Sequence, residues 1–295
     1  MTNIVEGHER AQRLLASIAP DVRAVQQARG RAPCLALLTI GQPSSAMAYA
    51  ARIAEFAALA GVHVKPVSAP QGSSLEQVRA VLKALNADDA VDGILPLAPF
   101  PASVSLAQVA AFLSPEKDVD GLTAHNAGQL ACGLEGLFPC TPQAAILLAE
   151  DALGDLRGLN ATVVGASAHV GQPLALLLLQ RGVTVTVAHI DTRDLAAACK
   201  SAQLLFVAVG KAGLIGASAL APGVVIIDIG INVVDDGKGG RQIVGDVDLE
   251  AVQGIAQSIS AVPDGVGPVT TAMLMANTLR AAKRGLAGSL RQMTL

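Results

Sequence analysis

The sequence predicts an α/β protein of two domains, the second built on a doubly wound parallel sheet. Three observations carry this prediction. Short apolar, β-branched runs alternate with helical patterns along the chain. One of those runs passes through a glycine turn directly into a helix. The composition, 52% hydrophobic and 15% charged, supplies the core that layered sheets and helices require. Strands of a parallel sheet are covered on both faces, so they read as continuous apolar runs and not as alternation.

In chain order, the predicted strands are Cys34–Gly41 ("CLALLTIG"), Val91–Leu97 ("VDGILPL"), Ala161–Ser167 ("ATVVGAS"), Val183–His189 ("VTVTVAH"), Leu204–Gly210 ("LLFVAVG") and Val224–Gly230 ("VVIIDIG"). Each is short and bounded by turn residues, as strands are. Helical patterns lie at Ser44–Gly61, Leu75–Leu85, Pro142–Leu153, Gln172–Gln180, Leu195–Ala202 and Thr270–Arg284. Alternation of this kind implies right-handed βαβ units. The expected partition is 1–143 as a first domain, 144–262 as a second, and 263–295 as a loop and closing helix that return to the first.

At 295 residues the chain is long enough to bury two self-sufficient cores. Its apolar runs, such as Pro173–Leu179 ("PLALLLL"), fall far short of the roughly 20 residues of a membrane-spanning helix. Glu6, His8, Glu9 and Arg10 stand where a signal peptide would place its apolar centre, so a cytoplasmic protein is expected. Cys34, Cys132, Cys140 and Cys199 show no Cys-x-x-Cys spacing; they read as small packing residues, and no metal site is expected. A net charge of −3, a single tyrosine and no tryptophan leave nucleic-acid binding without phosphate or stacking partners.

The strand "ATVVG" enters "GASAHVGQP" (Gly165–Pro173) and then a helix, the context in which a glycine turn meets a phosphate at a helix N-terminus. The spacing Gly-x-Ser-x-x-x-Gly departs from Gly-x-Gly-x-x-Gly. Gly165 permits the tight turn and Gly171 the approach of backbone to phosphate. Asp191 ends the next strand 20 positions past Gly171, where an acidic residue commonly binds the adenosine ribose and repels a 2′-phosphate. This favours NAD over NADP, while Arg193 keeps NADP open; capping of the following helix by Asp191 is the structural alternative. Two later glycine turns, in "VAVGKAG" (Val207–Gly213) and "IDIGINVV" (Ile227–Val234), also follow strands. The candidate cofactor residues are Gly165, Ser167, Val170, Gly171, Asp191, Thr192, Arg193, Gly210, Ile229, Gly230 and Thr270.

Eight ordered stretches resemble the methylenetetrahydrofolate dehydrogenase/cyclohydrolase (FolD-type) family: "DGILPLAPFP" (Asp92–Pro101), "PEKDVDGL" (Pro115–Leu122), "PCTP" (Pro139–Pro142), "VVGASAHVGQP" (Val163–Pro173), "VAVGKAGLI" (Val207–Ile215), "IDIGIN" (Ile227–Asn232), "VGDVD" (Val244–Asp248) and "VPDGVGPVT" (Val262–Thr270). The resemblance implies a homodimer, a Rossmann-type domain for the nicotinamide cofactor, and a first domain that takes a tetrahydrofolate derivative. It also gives meaning to the only tyrosine. The family places a tyrosine on this helix to stack on folate, with the proton-transfer lysine of the cyclohydrolase step four residues later. Tyr49 matches the tyrosine, and the lysine position holds Ile53. Leu97 stands where the family has the glutamine that holds the lysine. Asp120 retains the pterin-anchoring aspartate, with Lys117 and Asp118 beside it. Asp264 replaces a glycine of the family's Pro-Gly-Gly-Val-Gly-Pro loop, so Pro263, Asp264 and Gly265 are expected near the substrate. Where NADP-dependent members often carry arginine, this chain has Gln172 and Ile190.

Positions four apart share a helix face, so Ile53 takes the lysine's place on the tyrosine's face while Arg52 lies about 100° away. Loss of both polar partners together is chemically consistent, because a buried amide without its lysine would forfeit a hydrogen bond. The expectation is therefore a dehydrogenase deficient in cyclohydrolase activity. Two alternatives are an oxidoreductase acting on another cyclic imine, and a non-catalytic homologue that binds a nucleotide or a partner subunit.

Overall fold

The computed structural model describes residues 2–235, 237 and 239–292, the side chains of 287–292 excepted. The elements, in order, are β1 (Asn3–Val5), α1 (His8–Arg29), β2 (Cys34–Ile40), α2 (Ser44–Ala60), β3 (His63–Ala69), α3 (Leu75–Ala87), β4 (Gly93–Pro96), α4 (Leu106–Ala110) and α5 (Ala124–Ala131). They continue with α6 (Cys140–Leu153), β5 (Asn160–Val164), α7 (Gly171–Gln180), β6 (Thr184–Ala188), α8 (Leu195–Lys200), β7 (Leu204–Val207), β8 (Val225–Asp228), β9 (Asn232–Asp235), β10 (Arg241–Val244), β11 (Ser258–Ser260) and α9 (Val266–Gln292).

The chain forms two compact units. One comprises residues 12–140 and 271–295, the other 1–11 and 141–270. The first contains a parallel sheet of order β3-β2-β4. Its central strand β2 is buried at all seven positions, and β4 is buried throughout, as the apolar runs predict. Helix α3 begins with a capping box, Ser74 Oγ accepting the Gln77 N–H while Gln77 Oε1 accepts the Ser74 N–H. It lays Val78, Leu82 and Leu85 into the core beside Leu38 and Ile94. The C-terminal helix α9 is tied to this unit by Asn277, a fully buried amide whose Nδ2 donates to the Val119 and Phe138 carbonyls at 2.7 and 2.9 Å.

The second unit is a six-stranded parallel sheet of order β1-β11-β8-β7-β5-β6. The order reverses between β5 and β7, the strands from which the chain winds outward in opposite directions. An antiparallel hairpin, β9–β10, follows β8.

Three features depart from the sequence expectation. Residues 1–11 belong with the six-stranded sheet instead of the first domain, because β1 pairs in parallel with β11. Loop and helix residues 263–270 likewise stay with that sheet, and only residues from Thr271 onward join the first unit. Strand β6 is not buried on both faces: only Ala188 of Thr184–Ala188 is buried, because β6 is an edge strand.

Candidate active site

In the first unit, Tyr49, Leu97, Asp120 and Cys140 line one pocket of about 190 Å³, closed by Leu95, Pro96, Ala98 and Leu274. Tyr49 lies in the second turn of α2 and is 37% exposed. Enclosure of its hydroxyl end, reinforced by Asp120, pushes the phenol well above its ordinary range, so the ring is neutral at any working pH. Asp120 is half-buried, and its Oδ1 accepts the Cys140 N–H at 2.9 Å at the start of α6. A carboxylate at a helix start is favoured by the exposed N–H groups and the helix dipole.

Ile53 is fully buried one turn beyond Tyr49. It is not among the residues lining the pocket, whereas Leu97 is, at 3% exposure. Arg52 is exposed and does not line the pocket either. Lys117 and Asp118 work elsewhere. The Lys117 ammonium donates to the carbonyls of Leu85 and Asp88, capping the end of α3. Asp118, fully buried, accepts the N–H groups of Leu122 and Thr123 and the Asn126 amide. Sequence reasoning had treated Cys140 only as packing. Its Sγ donates to the Val119 carbonyl and receives Asn277 Nδ2, and burial beside Asp120 holds the thiol protonated. The "PCTP" stretch was the available signal for it.

In the second unit, Gly165 turns off β5 with φ +116°. A Cβ there would run into the Ala208 carbonyl after β7, and a Cβ on Gly171 would run into the Gly165 carbonyl. The turn after β5 is thus pressed against the turn after β7, and what Gly171 permits here is close packing of α7 on the strand end. Ser167 Oγ accepts the N–H groups of Val170 and Gly171, so these are not free for an anion. Gln172 braces the same turn by donating Nε2 to the Ala166 carbonyl. The N–H groups of Ala166, Ala168 and His169 find no acceptor among the described residues, and these residues are exposed or half-buried. That donor set, at the sheet's reversal point beyond the carboxyl ends of the strands, fits an anionic dinucleotide.

Asp191 does not end β6 but is exposed in the turn three residues beyond it, 3.7 Å from His189 Nδ1. The cap of α8 is Asp194, which accepts the Ala197 N–H, so the capping alternative for Asp191 does not hold. Thr192 Oγ1 closes this turn by accepting the His189 N–H, and Arg193 is exposed. Gly210 adopts φ +66°. Ile229 donates its N–H to Val207, and the space left open by Gly230 is filled by the Asp246 carboxylate. Pro263 follows a cis peptide bond; Asp264 is exposed, with its backbone carbonyl accepting the Gly7 N–H. Gly265 donates to Ala261, and Thr270 is half-buried in α9. These four residues lie in the same unit as the candidate cofactor turns, and not in the unit that holds Tyr49 and Asp120. No helix among the described residues is long and apolar enough to cross a membrane.

Two family models match the chain. Residues 5–120 match the catalytic-domain model of tetrahydrofolate dehydrogenase/cyclohydrolase, and residues 139–286 match the NAD(P)-binding-domain model of the same name. The chain is 42% identical over 283 residues to the bifunctional protein FolD of Sphingopyxis alaskensis, covering 95% of this chain and 94% of that one. Among solved structures, FolD of Campylobacter jejuni superposes with a TM-score of 0.90 at 33% identity, covering 96% of this chain and 99% of that one. The Trypanosoma brucei enzyme, solved with NADP and an inhibitor, gives 0.90 at 29% identity, with 97% and 98% covered.

Proposed function

The chain belongs to the tetrahydrofolate dehydrogenase/cyclohydrolase family, and from that membership we propose that it is a methylenetetrahydrofolate dehydrogenase that has lost efficient cyclohydrolase activity. The observation that carries the second half is Ile53. It is fully buried and apolar at the position where the family holds its proton-transfer lysine, and Leu97 replaces the glutamine partner.

The two family reactions ask different things of the protein. Oxidation moves a hydride from the methylene carbon and leaves a methenyl cation delocalised over two nitrogens; no proton is transferred at that carbon. The bound nicotinamide dinucleotide supplies the hydride acceptor. The chain's own part is to bind and orient: Tyr49 offers a neutral ring for stacking, and Asp120 anchors the pterin end through the carboxylate that also holds the Cys140 N–H. Hydrolysis of the methenyl cation needs an activated water and a proton delivered to nitrogen as the ring opens. A positioned acid or base typically contributes about 10²- to 10⁴-fold to such a step. No amine lines the pocket: of its titratable groups, Asp120 is engaged with the Cys140 N–H, the phenol is held neutral and the Cys140 thiol is held protonated by burial.

Asp191 in the turn after β6 supports NAD as the preferred cofactor, since an exposed carboxylate there repels a 2′-phosphate. The protein works as a homodimer on a tetrahydrofolate derivative in this reading. The deciding assay is spectrophotometric: cofactor reduction with methylenetetrahydrofolate and NAD or NADP, followed by decay of methenyltetrahydrofolate alone. Reduction with decay no faster than buffer is expected; enzymatic decay at a rate comparable to oxidation refutes the proposed loss. The substitutions at Ile53, Leu97 and Asp264 favour one second reading, an oxidoreductase for another cyclic imine. Cofactor binding without folate turnover would select it.

A further inference from the structure

Two carboxylates beneath the sheet's carboxyl edge have no place in the reading above. Asp228 ends β8 and Asp246 follows β10; both are buried. Each occupies the room left by a glycine of the other's segment. A Cβ on Gly230 would collide with the Asp246 carboxylate, and a Cβ on Gly245 with the Asp228 carboxylate. "Asp-Ile-Gly" (228–230) and "Gly-Asp" (245–246) therefore interlock.

The hydrogen bonds run in two tiers. Asp228 accepts the N–H groups of Gly230, Asp246 and Val247 at 3.0, 3.1 and 2.9 Å. Asp246 in turn accepts three consecutive N–H groups of the turn after β7, from Val209, Gly210 and Lys211, at 2.6, 3.0 and 2.9 Å. Asn232 Nδ2 donates to the same carboxylate at 2.8 Å. Successive N–H groups converging on one point make an anion-binding nest, and here the protein's own carboxylate fills it. This turn thus cannot hold a ligand phosphate through those N–H groups. What it can do is form a wall: it follows β7 at the reversal point of the sheet and abuts the Gly165 turn through Ala208.

We propose that Asp246, seated by Asp228, is a positioning residue that fixes the Val209–Lys211 turn as one wall of the nicotinamide-cofactor crevice, and so sets cofactor affinity without touching the reacting atoms. The proposal rests on the dinucleotide reading of this domain. It goes beyond that reading in making a buried carboxylate, and not the glycine of the turn, the residue on which affinity depends.

Asp246→Asn keeps the shape but puts an N–H₂ group against donors, so the turn loses charge-assisted bonds. Binding of reduced cofactor, followed by nicotinamide fluorescence, should weaken by about tenfold or more, with a cooperative thermal transition retained. In turnover, KM for the cofactor should rise while kcat at saturating cofactor stays within about twofold, a split that a general loss of packing would not produce. A folded Asp246→Asn protein with wild-type cofactor affinity overturns the proposal. Should that variant not fold, Asn232→Ala decides, since it removes one anchor of Asp246 from a half-buried position: weaker cofactor binding supports the proposal and unchanged binding overturns it. Wild-type protein that binds neither NADH nor NADPH defeats the dinucleotide reading itself, and the proposal with it, before any variant is compared.

Discussion

Replacing Ile53 by lysine restores the family's side chain in a place now sealed from water, and the cost can be worked out from its burial. Ile53 is fully buried in α2. A lysine there can enter the folded state neutral, and at pH 7 removing its proton costs about 4.6 kcal/mol, from an ordinary pKa of about 10.4 at about 1.36 kcal/mol per unit. Fitting the longer chain adds about 1–3 kcal/mol of overpacking. The sum, roughly 6–8 kcal/mol, is a large part of a typical stability of about 5–15 kcal/mol. The sign with pH is definite. A lysine whose folded-state pKa is depressed loses stability as pH falls from the unfolded pKa toward the folded one. Urea unfolding of Ile53→Lys should therefore recover about 2.7 kcal/mol relative to wild type between pH 7 and pH 9. Adding Leu97→Gln supplies an amide oxygen, worth about 1.5–3 kcal/mol if it reaches the ammonium. The double variant should then gain methenyltetrahydrofolate hydrolysis by about 10²- to 10⁴-fold. A cost below about 1 kcal/mol with no pH dependence would show that position 53 reaches water, and the reasoning from burial would fail. A stable double variant without hydrolysis would refute the assignment of these two positions.

Three further outcomes are expected. Burial pushes Asp228 up to about 6, so its carboxyl binds a proton in the folded state before the unfolded chain does. Its contribution to stability is fully present below about pH 4 and is lost as pH rises through about 6, so the stability of wild type relative to Asp228→Asn should be lower at pH 7 than at pH 4.5 by up to ~2 kcal/mol in denaturant titrations. Asp191→Ser should lower the preference for NAD over NADP in KM ratios; an unchanged ratio removes Asp191 from cofactor selection. Ile231, just before the hairpin, and Val233 and Ile243 within it are 59%, 60% and 45% exposed, so Val233→Asp should shift the proposed dimer toward monomer in sedimentation, and an unaltered species places the interface elsewhere.

Strands β2, β4, β5, β7 and β8 were legible because burial on both faces leaves an unbroken apolar run. Helix α1 was not read, although Ala11, Leu15, Ile18, Val22 and Val25 form a buried stripe at helical spacing; Pro20 interrupts the pattern. Strand β3 was missed for a related reason. "HVKPVSA" has only Ala69 fully buried and carries Pro66, which an edge strand tolerates. Strands β1 and β11 are three residues each, and their pairing joins segments about 255 positions apart, which no local window detects. At the candidate site, Tyr49, Leu97 and Asp120 were named from the sequence, and they line one pocket. Cys140 and Leu274 complete that pocket without having been singled out.

By itself the sequence determined the layer class, the glycine turn after β5, the family and the absence of lysine at position 53, because each is written in residue type and local spacing. Only the tertiary structure decided that Ile53 is sealed, that Asp194 and not Asp191 caps α8, and that Gly230 and Gly245 are glycines to make room for Asp246 and Asp228. The physical reason is that periodicity and propensity are properties of neighbours along the chain. Whether a Cβ has space, or a carboxylate finds donors, is set by atoms the fold brings from other strands.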